Sequence, residues 1–288
     1  MDVRGRSVVR PRWRMARALP PLLALLAGET IAPWAAGESP SPEVVMRIES
    51  ELFANGGDQP IARSLTLFRD GVAWDFLELP DVDAPRTLRL AEIVLHDPAR
   101  HRVVIIDPVR NLKTQVETLR LERLGVSLAS WARQGDDRLV RWAGGPDFDT
   151  DITETDTTLE LTGPRVRYAV AHAPAPSEHA ATVYREFADT ALLLRALLQP
   201  GGIPPFPRLA LNRRLESAGA IPCEVTLELG SRFTSLGGRT ERLTCRHRLH
   251  PRILPVDDAK IDDAAASSAA ADMVELAAFA DRNVAPAD

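Results

Sequence analysis

The stretch Ser64-Leu65-Thr66-Leu67-Phe68-Arg69-Asp70-Gly71-Val72-Ala73-Trp74-Asp75-Phe76 sets an Asp-Gly pair between two runs rich in alternating apolar residues. An Asp-Gly pair there favours a two-residue turn whose twist matches the strands that it joins. The turn sets a register: Arg69 pairs with Val72, Leu67 with Trp74 and Leu65 with Phe76, which places four large apolar side chains on one face. The other face carries Thr66 and Asp75 as a facing pair. Working outward, Asp-Pro-x-Arg occurs twice, at Asp97-Pro98-Ala99-Arg100 and Asp107-Pro108-Val109-Arg110, with Val103-Val104-Ile105-Ile106 between. Proline presets φ for a type I turn and the preceding aspartate accepts from backbone N–H groups. The expectation is an antiparallel meander of 88–96, 102–106 and 112–121. Arg102 to Ile106 is apolar on both faces, so cover is expected on each side. His96 and His101 are expected to face each other, exposed, at the base of the first turn.

The 288 residues, 45% hydrophobic, are enough for one large domain or two small ones with a sizeable core. Residues 1–37 stand apart. Arg4, Arg6, Arg10, Arg12, Arg14 and Arg17 precede an apolar run over 18–28, and Ala35-Ala36-Gly37 follow. That order is a secretory signal peptide with its cut after Gly37, and Met15 is an alternative start. The run is about half of the roughly 20 residues that a spanning helix requires, and Pro20-Pro21 interrupt it, so no stable transmembrane segment is expected once it is removed. The leader holds six Arg against Asp2 and Glu29, so a chain of net charge −5 becomes −9 without it. An acidic surface is unsuited to backbone phosphates, which excludes a nucleic-acid partner. The compartment expected is periplasmic or secreted.

Over 38–255 we expect a single domain. Residues 42–53 carry Val44 or Val45, Ile48 and Leu52 at helical spacing after Ser41 and Pro42, predicting a short helix. Helices are predicted over 122–133, 177–199 (capped by Ser177) and 208–217, and a strand over 138–142. Alternation over 156–170 predicts a hairpin turning at Gly163-Pro164. A last hairpin joins 222–229 to 239–249. Pairing Cys223 with Cys245 there puts Val225 opposite Leu243, and in an oxidising compartment predicts one disulfide closing a loop of about 23 residues, worth roughly 3 kcal/mol. The alternative is two buried thiols. Residues 256–288 are acidic and alanine-rich, a terminal helix or a tail.

No motif announces chemistry. The acid run Asp147, Asp149, Asp151, Glu154 and Asp156 is not a calcium loop, since Ile152 stands where the loop needs glycine and Thr158 where it needs glutamate. His247 and His250, three apart on a strand, point to opposite faces, and His172 and His179 have no third ligand by spacing. There is no Gly-x-Ser-x-Gly, no activated cysteine and no phosphate-cradling glycine loop. No cofactor, metal or catalytic residue is assigned.

The runs Glu92-Ile93-Val94-Leu95-His96-Asp97-Pro98 and Val103-Val104-Ile105-Ile106-Asp107-Pro108-Val109-Arg110, after an amphipathic segment and the Asp70-Gly71 hairpin, resemble those of the LolA-like lipoprotein carriers of the bacterial envelope. The resemblance implies an α+β fold: a curved antiparallel sheet, an incomplete β-barrel, with helices packed on its concave side. It also implies an apolar cavity for acyl chains and an arginine that helps to govern opening. The long helix and the insert over 204–217 depart from the family pattern. The expected function is an exported, non-enzymatic envelope protein that binds a lipid or acyl chain. The lining expected is Leu65, Leu67, Trp74, Phe76, Ile93, Leu95, Val104 and Ile106. The alternatives are a structural or protein-interaction module without ligand, its protein partner unnamed, and a hydrolase of unrecognised type.

Overall fold

A computed structural model describes residues 43–81, 84, 86–146, 152–198, 204–230 and 241–281. Strands β1 (Met46–Ala54), β2 (Ala62–Arg69) and β3 (Val72–Pro80) form its centre. Between β2 and β3 the register has Arg69 opposite Val72, Leu67 opposite Trp74, Leu65 opposite Phe76 and Thr66 opposite Asp75. Asp70 and Gly71 turn at φ +54° and +71°, the left-handed pair that a tight hairpin requires. Strands β4 (Leu88–Asp97), β5 (Arg102–Asp107) and β6 (Leu112–Glu117) continue as the meander.

Both Asp-Pro turns are built by their aspartates. Asp97 accepts from the Arg100 backbone N–H at 3.2 Å and from the Arg100 and Arg102 guanidinium groups at 2.9 and 3.1 Å. Burial pushes this carboxyl up, but those donors outweigh it and hold it below the usual carboxylate range. Asp107 likewise accepts from the backbone N–H groups of Val109 and Arg110, both at 2.9 Å.

Strands β7 (Ile152–Glu154), β8 (Thr158–Gly163), β9 (Val166–Pro174), β10 (Ala220–Leu229), β11 (Glu241–His250) and β12 (Asp272–Met273) complete one open sheet. Its order is β12-β6-β5-β4-β3-β2-β1-β11-β10-β9-β8-β7, antiparallel except for the two-residue β12 beside β6. The helices are α1 (Thr118–Arg133), α2 (Arg138–Ala143), α3 (Glu178–Leu198), α4 (Phe206–Ser217), α5 (Pro255–Ala270) and α6 (Leu276–Ala280). The fold is α+β, a curved antiparallel sheet left open, and five of these helices pack on one face while α5 packs on the other.

Four local expectations change, besides the expected strand over 112–121, which ends at Glu117 where α1 begins at Thr118. Residues 46–54 form a strand, not a helix. Met46, Ile48, Ser50 and Leu52 share one face, and pairing on both sides, with β2 and β11, satisfies the whole backbone. Residues 138–143 form a helix, not a strand, because Asp137 caps it, accepting from the N–H groups of Leu139 at 2.8 Å and Val140 at 3.3 Å. His96 is buried beneath α3 with Phe187 at 6.5 Å, while His101 is exposed at the turn, so the two do not face each other.

The fourth change removes the disulfide. Val225, not Cys223, lies opposite Cys245, and Leu227 lies opposite Leu243. This register sets Glu224 directly against Arg246 and Glu228 against Arg242, charge pairs that the expected register would lose. A bulge between Pro222 and Glu224 leaves Cys223 exposed, and both cysteines are unbridged thiols.

Both sides of β5 are covered. On the first, Leu67, Trp74, Phe76, Ile93, Leu95, Val104 and Ile106, each no more than 9% exposed, pack with Ile261, Ala264 and Ala271, and Leu65 borders the cluster. Helix α5 is pinned there by Arg47–Asp257 at 3.1 Å and Arg69–Asp258 at 2.6 Å, and Lys260 Nζ lies 4.8 Å from the Phe76 ring centre. On the second, Val94, Val103, Ile105 and Leu112 pack with Leu121, Leu194 and Phe279. Two further cores lie on the same side. Phe68 meets Phe187 edge-on at 5.5 Å between β2 and α3, and Leu159, Leu161 and Tyr168 pack against Leu211 and Leu215 of α4. Trp142 of α2 lies flat on Gly163, where a Cβ would sit 2.4 Å from the ring.

Candidate functional site

A polar row crosses the helix-covered face between the cores. Five strands each contribute one residue to a direct cross-strand row: Glu92, Leu77, Ser64, Ser50 and His247, from β4, β3, β2, β1 and β11. All five are only half-buried although the row crosses the middle of the sheet. The register places the row on this face, because Ile48 and Phe68, two residues along β1 and four along β2, lie in the core beneath α3. Towards the far ends of β1, β2 and β11, the next row holds Ala62, Leu52 and Cys245, also half-buried.

The polar members are held by short bonds. Ser50 Oγ and His247 Nδ1 are 2.8 Å apart. The Ser64 and Thr66 hydroxyls both donate to Asp75 Oδ1, at 2.6 and 2.8 Å. Arg195 of α3 reaches Glu92 with N···O distances of 2.5 and 3.3 Å. Burial raises the Asp75 carboxyl, against the pull of its two hydroxyl donors and of Arg195. Burial, with Arg208 nearby, lowers His247 to about 4. The Cys245 thiol is pushed up to about 11 by burial. Yet His247, Cys245 and Asp75 all retain accessible surface.

Helical periodicity from the buried Tyr184 brings Ala188, Ala191 and Arg195 over the sheet, and Ala188 packs against the core there. Leu52, Leu77, Leu192 and Leu243 are half-buried and belong to none of the four cores. The result is a strip of half-buried leucines crossed by a polar rung.

This rung is not a hydrolytic triad. Asp75 bonds Ser64 and Thr66 and not His247, and an imidazole titrating near 4 is a weak proton acceptor at neutral pH. The strand N–H groups around Ser50 are committed to the ladder, so none is aimed as an oxyanion donor.

Other clefts among the described residues are open to solvent. One of about 970 Å³ lies among α1, α3 and α4, with Gly125, Ala129, Leu193 and Leu209 inside and Arg133, Glu186 and Arg213 around it. One of about 380 Å³ lies beside α5, bordered by Arg47, Glu49, Glu51, Arg63 and Leu65, and the strand positions of Ser50 and Ser64 border it too. Of the eight apolar residues expected to line a ligand, Leu65 borders this second cleft and the other seven lie beneath α5.

Sequence reasoning placed His247 with Cys245 on one strand face and paired Thr66 with Asp75, but it missed Ser50, Ser64, Leu77 and Glu92. The usable signal was a histidine within the apolar alternation Leu243, Cys245, His247, Leu249. His250 lies exposed beside Glu49, and His172 and His179 border different clefts. Among the described residues no group of three or more His, Cys, Asp or Glu side chains could hold a metal ion. Among them too, no helix is long and apolar enough to cross a membrane. The leader over 1–37 and the acid run at 147–151 lie outside the described residues, while Glu154 pairs with Arg214 at 2.7 Å. No protein-family model and no curated protein matches the chain.

Proposed function

We propose that the chain is an exported binding protein for a lipid or other acyl-chain amphiphile, held in a trough that opens between the sheet and α3. One observation carries the reading. Leu52, Leu77 and Leu243 stay half-buried on the helix-covered face, beside the polar rung, and belong to none of the four cores. Ligand sites of this kind are mainly apolar with a few convergent polar groups. The face beneath α5 is already occupied by the chain's own helix, which moves the ligand to the other side of the sheet.

Native mass spectrometry of the purified protein, with displacement of a fluorescent acyl probe, tests this. Copurified lipid or saturable probe binding is expected, and Leu77→Trp, which fills the trough, should weaken it at least tenfold while Leu65→Ala leaves it unchanged. Absence of both lipid and probe binding overturns the reading.

A second reading is a protein-interaction module of the envelope. Its support is α1, whose Val126 and Trp131 are 74% and 59% exposed, an unusual surface for large apolar residues.

A further inference from the structure

Three buried arginine nitrogens make no hydrogen bond: Arg47 Nε, Arg185 Nε and Arg208 Nη1. The first two still sit against carboxylates, Asp257 at 3.1 Å and Glu216 at 2.6 Å. Arg208 differs. No carboxylate lies within 4 Å of it among the described residues, although its Nη1 is inaccessible to solvent. A guanidinium stays charged at any physiological pH, and removing it from water without a counter-charge is unfavourable.

The surroundings are donors and neutral groups. Arg208 stands in the first turn of α4. Its guanidinium interacts with the hydroxyl of Tyr184 on α3, and its charge is felt by Tyr168 on β9 and by Cys245 and His247 on β11. Tyr184 is pushed up to about 12 by burial, so its hydroxyl keeps its proton and can donate. Beyond His247 lies Ser50 at 2.8 Å. Asp189, whose charge is felt by Tyr184, is already engaged by Asn212 at 2.7 Å and Arg185 at 3.3 Å. The opposite end of the rung is balanced, since Arg195 has Glu92.

We propose that Arg208, with Tyr184 and His247, forms an anion subsite that receives the head of the bound amphiphile, a carboxylate or a phosphate, while its chain lies along the trough. A planar fork of N–H donors beside a phenol suits a two-oxygen anion, and partial desolvation strengthens each bond. The assignment of the head rests on the trough reading, but the anion subsite itself does not. The same chemistry is offered by a lipid head and by free inorganic phosphate, and the test separates them.

Calorimetric titration and thermal shift would be run on the full chain with dodecanoate, dodecanol and inorganic phosphate. Wild type should bind dodecanoate at least tenfold more tightly than dodecanol. Arg208→Met should abolish that preference while leaving dodecanol affinity within about twofold. Equal affinity for the two in wild type, or a preference that survives in Arg208→Met, overturns the subsite. If phosphate alone binds, in an Arg208-dependent way, the subsite stands and the acyl-chain reading falls; if nothing binds, both fall. Should Arg208→Met not fold, Tyr184→Phe and the wild-type thermal shift still decide. Dodecanoate must raise the melting temperature more than dodecanol does, and Tyr184→Phe must narrow the difference.

Discussion

Ser50 and Ser64 face each other across β1 and β2, yet they turn to different titratable groups, Ser50 to His247 and Ser64 to Asp75. The rung is therefore divided at its midpoint into a half organised by an imidazole and a half organised by a carboxyl. The two halves respond to acid in opposite senses. The folded chain holds His247 and His96 below their ordinary value and Asp75 above its own.

For the histidines the folded-state value is the lower one. Stability is therefore complete above pH 6.5 and is lost as pH falls from there towards about 4, because the unfolded chain takes up protons first. For His247 the full effect is on the order of 2–3 kcal/mol. Denaturant midpoints at pH 7.5, 6.0 and 4.5 should fall accordingly, and His247→Gln should flatten the slope. An unchanged slope in both His247→Gln and His96→Gln would show that neither histidine drives it.

The two thiols are expected to differ in reactivity. An aromatic disulfide reagent should label Cys223 at once in the native protein, since it is exposed on the bulge. Cys245, held near 11 and enclosed, should react only on unfolding. Two titratable thiols are expected under denaturing, non-reducing conditions, and a mass lower by about 2 Da, with no thiol, would reinstate a bridge.

Ile106, 1% exposed between β5 and α5, is a sensitive reporter of the covered face. Ile106→Ala should lower stability by about 2–5 kcal/mol, from lost burial and the cavity left behind. Equilibrium unfolding measures it, and a loss under about 1 kcal/mol would mean that α5 is not tightly seated.

Gly163 tests the contact between α2 and the sheet. Gly163→Ala forces a methyl group against the Trp142 ring and should destabilise by about 1–3 kcal/mol. Combining it with Trp142→Leu should give less than the sum of the two single effects. Strict additivity would contradict the stacking.

Much of the sheet was legible because short-range turn chemistry dictates it. Asp70-Gly71 and the Asp97 and Asp107 turns each carry their register within a few residues, and the two-sided apolar run at Val103 to Ile106 foretold cover on both faces. Segment 46–54 was misread because Val44, Ile48 and Leu52 satisfy a helical period as well as Met46, Ile48 and Leu52 satisfy a strand period. The choice falls to partners distant in the chain, β2 and β11. The β10–β11 register was missed because a two-residue slip preserves every face, so only the Glu224–Arg246 and Glu228–Arg242 pairings and the bulge at Cys223 select between the alternatives. The rung was invisible for the same reason. It takes one residue from each of five strands spread over more than 190 positions, and no local pattern marks Ser50 or Glu92.

The outermost strands are three residues long at β7 and two at β12. A twelve-stranded sheet with long open margins would invite a neighbouring molecule to add a strand of its own. Here one margin is begun by a fragment of parallel strand that the chain's own end lays beside Leu112 and Lys113, leaving Gln115 and Glu117 on the rest. Residues 272–273 thus shorten the unpaired margin of β6, as α5 covers the apolar face, so that less of the sheet is left open to a neighbouring strand.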